Sequence, residues 1–221
     1  MSHASPDAAA AAAGSGRRAN PPAASAAASR RTAVEPGFDP NTFAGMRRLL
    51  REDLHMHGND RTRPGYRAMR AYRFGVWRMS VGQPLRAPLS VLYRWMYRRC
   101  RDGLGIELPY SATIGRRLTI EHQNGIVVHG NAVIGDDCTI RQGCTLGNKT
   151  PDRPFDAPVL GNGVNVGAGA KILGAVTLGD KCQVGANAVV VKDVPAGVTV
   201  VGIPARALEP RRHGDTENRD G

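Results

Sequence analysis

Between positions 160 and 190 an aliphatic side chain returns every six residues: Leu160, Val166, Ile172, Leu178, Val184 and Val190. Glycine follows at Gly161, Gly167, Gly179 and Gly185, and small or apolar residues (Val164, Ala170, Val176, Cys182, Ala188) return at the same interval. A period of six fits neither a helix, at about 3.6 residues per turn, nor a strand alternating at about 2. It fits a solenoid in which each segment is one short strand and a corner, the aliphatic pointing inward. Three segments close a triangular coil of about 18 residues, and the chain holds roughly five such coils. Each buried aliphatic stabilises the stack by about 1.5–3 kcal/mol. Upstream the period continues as Ile114, Ile120 and Ile126, then slips by two residues to Ile134, Ile140 and Leu146. Residues 148–158 (NKTPDRPFDAP) break the period and must leave the coil as a loop. The competing arrangement, a β-sandwich with accidental spacing, does not account for six unbroken returns.

The rest of the chain divides by composition. Residues 1–38 are alanine, serine, proline and arginine with almost nothing to bury, which predicts a disordered tail. Residues 39–104 read as a helical segment, residues 105–208 as the solenoid, and residues 209–221 as a polar tail. Within the helical segment Met46, Leu49, Leu50 and Leu54 fall at helix spacing behind a Pro40-Asn41-Thr42 start signal. A second set (Met69, Tyr72, Phe74, Val76, Trp77) and a third (Leu89, Leu92, Tyr93, Trp95, Met96) follow, separated by Gly58-Asn59-Asp60 and Gly82-Gln83-Pro84. Three short helices are expected, their aromatics serving as core or subunit contacts.

The net charge of +11 over 221 residues raises the question of nucleic acid. The excess is confined to the arginine-dense stretch between Arg47 and Arg101, and no aromatic-interleaved basic motif accompanies it. Solvated arginine faces on amphipathic helices, with attraction for an anionic cofactor, are the expectation. Cys100, Cys138, Cys144 and Cys182 show no zinc-ligand spacing and read as small buried hydrophobes in a reducing compartment. No apolar run approaches the roughly 20 residues of a membrane span. The N-terminus lacks a secretory apolar core, although an Arg/Ser/Ala-rich leader is similar to an organelle transit peptide. A cytoplasmic protein with neither membrane nor nucleic-acid partner is expected.

These residues resemble the hexapeptide-repeat acyltransferases, and within them the serine O-acetyltransferase family. The stretch Ile120-Glu121-His122-Gln123-Asn124-Gly125-Ile126-Val127-Val128 carries the most specific likeness. GAGAKILGAVTLG at 167–179, VVVKDVPAG at 189–197, Gly202-Ile203-Pro204-Ala205-Arg206 and GYRAMRAYRFGVW at 65–77 extend it over about residues 50–208. The resemblance implies a mainly β fold, a left-handed parallel β-helix preceded by a short α-helical segment, and a homotrimer. It also implies acetyl-CoA as co-substrate, bound between neighbouring β-helices, with no metal.

Acetyl transfer to a hydroxyl needs a base that takes the proton as oxygen attacks the thioester, and neutral imidazole suits that near neutral pH. The resemblance assigns this role to His122 and places a carboxylate partner 15 residues earlier, where Glu107 stands. A span near one coil makes the two potential neighbours, and such a partner fixes the tautomer and stabilises the imidazolium. Glu121 matches an acid that contacts the acceptor's amino group, and Asp60 aligns with a second from the helical domain. His129 stands where the family usually has glycine and reads as a bystander near the site. For the cofactor, Gly167, Ala168, Gly169 and Ala170 permit close backbone approach, and Lys171, Lys192 and Arg206 are candidates for the phosphates. Gly161-Asn162-Gly163 and the 167–169 glycines are not a dinucleotide loop, because no strand-to-helix turn accompanies them.

Departures concern the acceptor. The serine enzymes carry an Arg-His-Pro run and a following arginine in the excursion loop; this chain reads Asp156-Ala157-Pro158-Val159-Leu160-Gly161, with Arg153 the nearby substitute. Two enzymatic expectations follow: L-serine as acceptor, feeding cysteine synthesis, or a sugar or other hydroxyl, as in exopolysaccharide assembly. A β-helix metal enzyme would need three convergent histidines, where the repeats have only His122 and His129. A non-catalytic assembly protein would tolerate loss of His122.

Overall fold

The computed structural model describes residues 38–208. The expected tails, residues 1–38 except Phe38 and residues 209–221, lie outside the described residues. Helix α1 (Phe43–Met56) begins where the start signal predicts: Thr42 is its N-cap, and the Thr42 Oγ1 accepts from Gly45 N at 3.0 Å. Helix α2 (Pro64–Trp77) opens with proline at its first position, and a single 3-10 turn (Arg78–Ser80) leads toward α3 (Arg86–Leu104). The last helix runs 19 residues, longer than the apolar set within it predicted, until Gly105 ends it in the left-handed conformation at φ 63°. Its buried stripe is Tyr93, Tyr97, Cys100 and Leu104, while Leu92 and Trp95 face outward.

Behind Gly105 the chain winds five coils. The first holds β1 (Ile106–Glu107), β2 (Thr113–Ile114) and β3 (Thr119–Glu121); the second holds β4 (Ile126–Val128), β5 (Val133–Ile134) and β6 (Thr139–Arg141). The third holds β7 (Thr145–Gly147), β8 (Val159–Leu160) and β9 (Asn165–Val166), and the fourth β10 (Lys171–Leu173), β11 (Thr177–Leu178) and β12 (Gln183–Val184). The fifth holds β13 (Val189–Val190), a single bridge at Val194 and β14 (Thr199–Val201); β15 (Arg206–Ala207) then pairs antiparallel with β14. Equivalent strands stack in parallel into three faces, β1-β4-β7-β10-β13, β2-β5-β8-β11 and β3-β6-β9-β12-β14. The register aligns the repeat aliphatics directly: Ile134 with Leu160, Leu160 with Leu178, Ile140 with Val166, Ile172 with Val190. All are at most 2 % exposed, as are Val164, Ala170, Cys182 and Ala188 of the second apolar set.

The two-residue slip has a local cause. Strand β4 points both Ile126 and Val128 inward around an exposed Val127, so its coil accommodates two more residues without losing register. The first coil does the same with Ile106 and Leu108. The 148–158 excursion leaves between β7 and β8, as expected, and the chain returns to the stack at Val159.

The helices close the first coil. Tyr72 Oη donates to Ala112 O at 2.9 Å and accepts from Ile114 N at 3.0 Å, satisfying two strand-edge groups. Arg73 forms a fork with the Asp53 carboxylate at 2.8 and 3.2 Å, and donates also to Ile114 O and Gly115 O. Arg78 is likewise buried, stacked between the Tyr93 and Tyr110 rings at 4.4 Å from each. These two correct the expectation of wholly solvated arginine faces. Stacked and bidentate guanidinium contacts let arginine enter a core that lysine would avoid.

Candidate functional site

His122 occupies the corner between β3 and β4, exposed, with φ 64°. The same left-handed conformation recurs at Arg117, Asp137, Lys181 and Asn187, so it belongs to the coil corners. Among the described residues its ring makes no hydrogen bond, whereas the fold employs its neighbours. His57 is buried beneath the strand that leads to it: Nδ1 donates to Asp53 O at 2.6 Å and Nε2 accepts from Ile120 N at 3.2 Å. That pairing fixes one neutral tautomer and ties α1 to β3, two residues before His122. His129 Nδ1 accepts from Asn131 N at 3.1 Å, closing a tight turn. Sequence reasoning missed His57, since nothing in its helical context signals a strand edge 63 residues away.

Glu107 lies on β1 opposite Val127 of β4, beside the strand that follows the His122 corner. The carboxylate accepts from Tyr97 Oη at 3.2 Å, and no hydrogen bond joins it to His122 among the described residues. Burial, aided by the Glu107 charge, pushes the Tyr97 phenol well above its ordinary range, so it stays a proton donor that orients this carboxylate. Glu121, directly before His122, faces Arg141 across β3 and β6, with Arg141 Nε 2.6 Å from its Oε2. Asp60 sits exposed in the α1–α2 turn, its Oδ1 accepting from Thr62 N at 2.7 Å and Thr62 Oγ1 at 2.6 Å. Those two bonds hold the Asp60 carboxyl below its usual value. Arg153 stands on the excursion loop, 72 % exposed and 3.7 Å from Asp156.

The cofactor candidates separate. Lys192 and Arg206 share a cleft of about 260 Å³ against the fifth coil, with Val191, Pro195 and Ala205 in its wall. The 202–206 segment is fastened there by Val189 N donating to Gly202 O at 3.0 Å and Ala205 N donating to Val189 O at 2.8 Å. Lys171, on the adjacent β10, donates its ammonium to Gly143 O. The small residues at 167–170 answer first to the coil above. A side chain at Gly167 would meet Ala186 N at 2.6 Å, and Gly169 adopts φ 73° beneath Asn187. Ala170 is wholly buried in the core, and Ala168 alone of the four keeps an accessible side chain.

The four cysteines are free and buried. Burial pushes the Cys138 thiol up to about 11, and Cys138, Cys144 and Cys182 donate to carbonyls of the next coil. They are packing groups with little thiolate to react. Among the described residues, no helix is long and apolar enough to cross a membrane, and no group of three or more His, Cys, Asp or Glu is arranged to hold a metal ion.

Residues 157–192 match the family described as bacterial transferase hexapeptide (six repeats). A serine acetyltransferase of Synechococcus elongatus is 37 % identical over 145 residues, 66 % of this chain and 57 % of that protein. The chain thus spans little more than half the length of that relative. A candidate colanic acid biosynthesis acetyltransferase, WcaB of Escherichia coli K12, is 45 % identical over 138 residues, 62 % of this chain and 83 % of that protein. The crystal structure of a Brucella abortus serine acetyltransferase in complex with coenzyme A superposes with a TM-score of 0.64 at 28 % identity, covering 75 % of this chain and 68 % of that one. Together with the five-coil solenoid, these likenesses show that the chain belongs to the serine O-acetyltransferase family of hexapeptide-repeat acyltransferases.

Proposed function

We propose that the protein transfers the acetyl group of acetyl-CoA to a hydroxyl, L-serine being the first acceptor, with His122 as general base. The observation that carries this is the state of His122: an exposed imidazole at a coil corner, directly after Glu121 in the chain, whose ring makes no hydrogen bond among the described residues. In the reaction the acceptor oxygen attacks the thioester carbonyl as His122 takes its proton. The C–O bond forms, the C–S bond breaks, and the proton passes from the imidazolium to the departing thiolate. Glu107, oriented by Tyr97, is the group to stabilise the imidazolium once a subunit neighbour or the acceptor settles the ring. Lys192 and Arg206 carry the charge and exposure to meet the phosphates of CoA, with Lys171 on the adjoining strand. We assign the assembly as a homotrimer with the CoA groove between subunits, working in the cytoplasm, a setting that the four unpaired cysteines suit.

A second reading has specific support. The chain spans 83 % of the colanic acid relative but 57 % of the Synechococcus serine acetyltransferase. The excursion loop also lacks the basic run the serine enzymes carry, leaving Arg153 in an exposed pair with Asp156. A sugar hydroxyl is therefore the alternative acceptor. Release of free CoA thiol from acetyl-CoA, measured with L-serine and with a panel of nucleotide sugars and oligosaccharides, separates the two. Turnover with L-serine supports the first reading. Turnover with sugars alone replaces it with the second, and no release with any acceptor contradicts both.

A further inference from the structure

An α-amino acid presents three groups to such a site: the hydroxyl, an ammonium and a carboxylate. His122 and Glu121 answer the first two, and the excursion loop supplies no buried cation for the third. Arg141 does stand beside Glu121. It projects from the outer side of β6 at the register position of Glu121, its Nε 2.6 Å from Glu121 Oε2, and its side chain is 29 % exposed. One amino group, Nη1, is fixed from the next coil by the Asn165 amide oxygen and more weakly by Val166 O at 3.4 Å. The guanidinium is thereby held rigid across three coils.

That anchoring leaves one edge of each partner open. Among the described residues no hydrogen bond engages Glu121 Oε1 or Arg141 Nη2. Paired but unsaturated, the two groups present a carboxylate oxygen and a guanidinium N–H side by side, the carboxylate on the residue that precedes the base in the chain. This is the charge complement of a zwitterion, which can dock without the ion pair having to break. Bidentate or forked contacts of this kind are where arginine outperforms lysine.

Building on L-serine as acceptor, we infer that Arg141 is the specificity-determining residue that holds the acceptor carboxylate, with Glu121 receiving its ammonium. The loss of the basic loop run is then offset from within the solenoid. A neutral sugar can hydrogen-bond to this pair but brings no charges to match it.

The test compares L-serine with L-serinamide, which keeps the hydroxyl and ammonium but lacks the carboxylate. It uses the full-length wild type, Arg141→Gln and Arg141→Lys, each checked for native circular dichroism and melting. Wild type should favour L-serine in kcat/KM by about 10- to 100-fold, the scale of one charge-assisted hydrogen bond. Arg141→Gln should bring the ratio near 1, chiefly through KM, and Arg141→Lys should restore part of it. If wild type turns over L-serine and Arg141→Gln keeps the wild-type ratio, Arg141 is not the carboxylate holder and the acetyltransferase reading stands unaffected. If wild type turns over sugars but not L-serine, the acceptor reading falls and the assignment with it.

Discussion

Arg73 and Asp53 put a full ion pair where neither side chain meets water, 4 % and 0 % exposed. A buried charge that loses its partner is costly, so Arg73→Met should destabilise by about 3–5 kcal/mol, read as a lower urea midpoint. The double change Arg73→Met with Asp53→Leu should recover much of that, since the isolated carboxylate is what hurts. Glu52 shows a part-buried counterpart. Desolvation pushes its carboxyl up, but the hydrogen bond and charge of Arg116, with Arg117 and Arg48, outweigh this and leave it lowered. A lowered folded value contributes stability that is present above the ordinary carboxylate range and lost as pH falls through the folded value. Melting temperature should therefore drop on acidification below about pH 4.5, and less steeply in Glu52→Gln. None of this was legible in the arginine-rich stretch. Charge counting gave solvated faces because Asp53 lies 20 residues from Arg73 and the carbonyls of the first coil more than 40.

The six-residue period, at the scale of elements, translated almost directly into strands, because each inward aliphatic sits over its equivalent in the next coil. Ile172, wholly buried between Leu146 and Val190, is the sharpest probe. Ile172→Asp buries an unpaired carboxylate and should cost more than about 4 kcal/mol, seen as loss of soluble folded protein. Arg153→Ala, removing an exposed pair on the excursion loop, should move stability by less than about 1 kcal/mol. The slip near Ile126 was visible as a spacing but not as a mechanism, since only the structure shows Val128 joining Ile126 inside. The third helix could not be read by face: an apolar pattern rich in tryptophan, leucine and tyrosine does not say which side meets the solenoid. Tyr93 and Tyr97 won that side, with Tyr97 reaching Glu107 and Tyr93 receiving Tyr110 N at 3.2 Å.

For the whole molecule, the solenoid supplies the scaffold, the helices cap its first coil, and the candidate groups spread from that coil to the fifth. His122 and Glu121 lie on the first coil; Lys192 and Arg206 lie around the fifth. Such a separation suits a cofactor lying along the stack, in a groove completed by another subunit, and sedimentation should give a species of three times the 23.6 kDa chain. The His122 stretch stands out in the sequence because its motif is local, whereas cofactor contacts do not, because glycines that serve coil stacking look the same as glycines that admit a ligand. The central claim is that the His122 imidazole, which makes no hydrogen bond among the described residues, takes the acceptor proton. Steady-state CoA release by His122→Ala beside wild type, with equal melting temperatures, tests it most directly. The account predicts a fall in kcat of at least about 100-fold with the fold intact; turnover within a few-fold of wild type would contradict it.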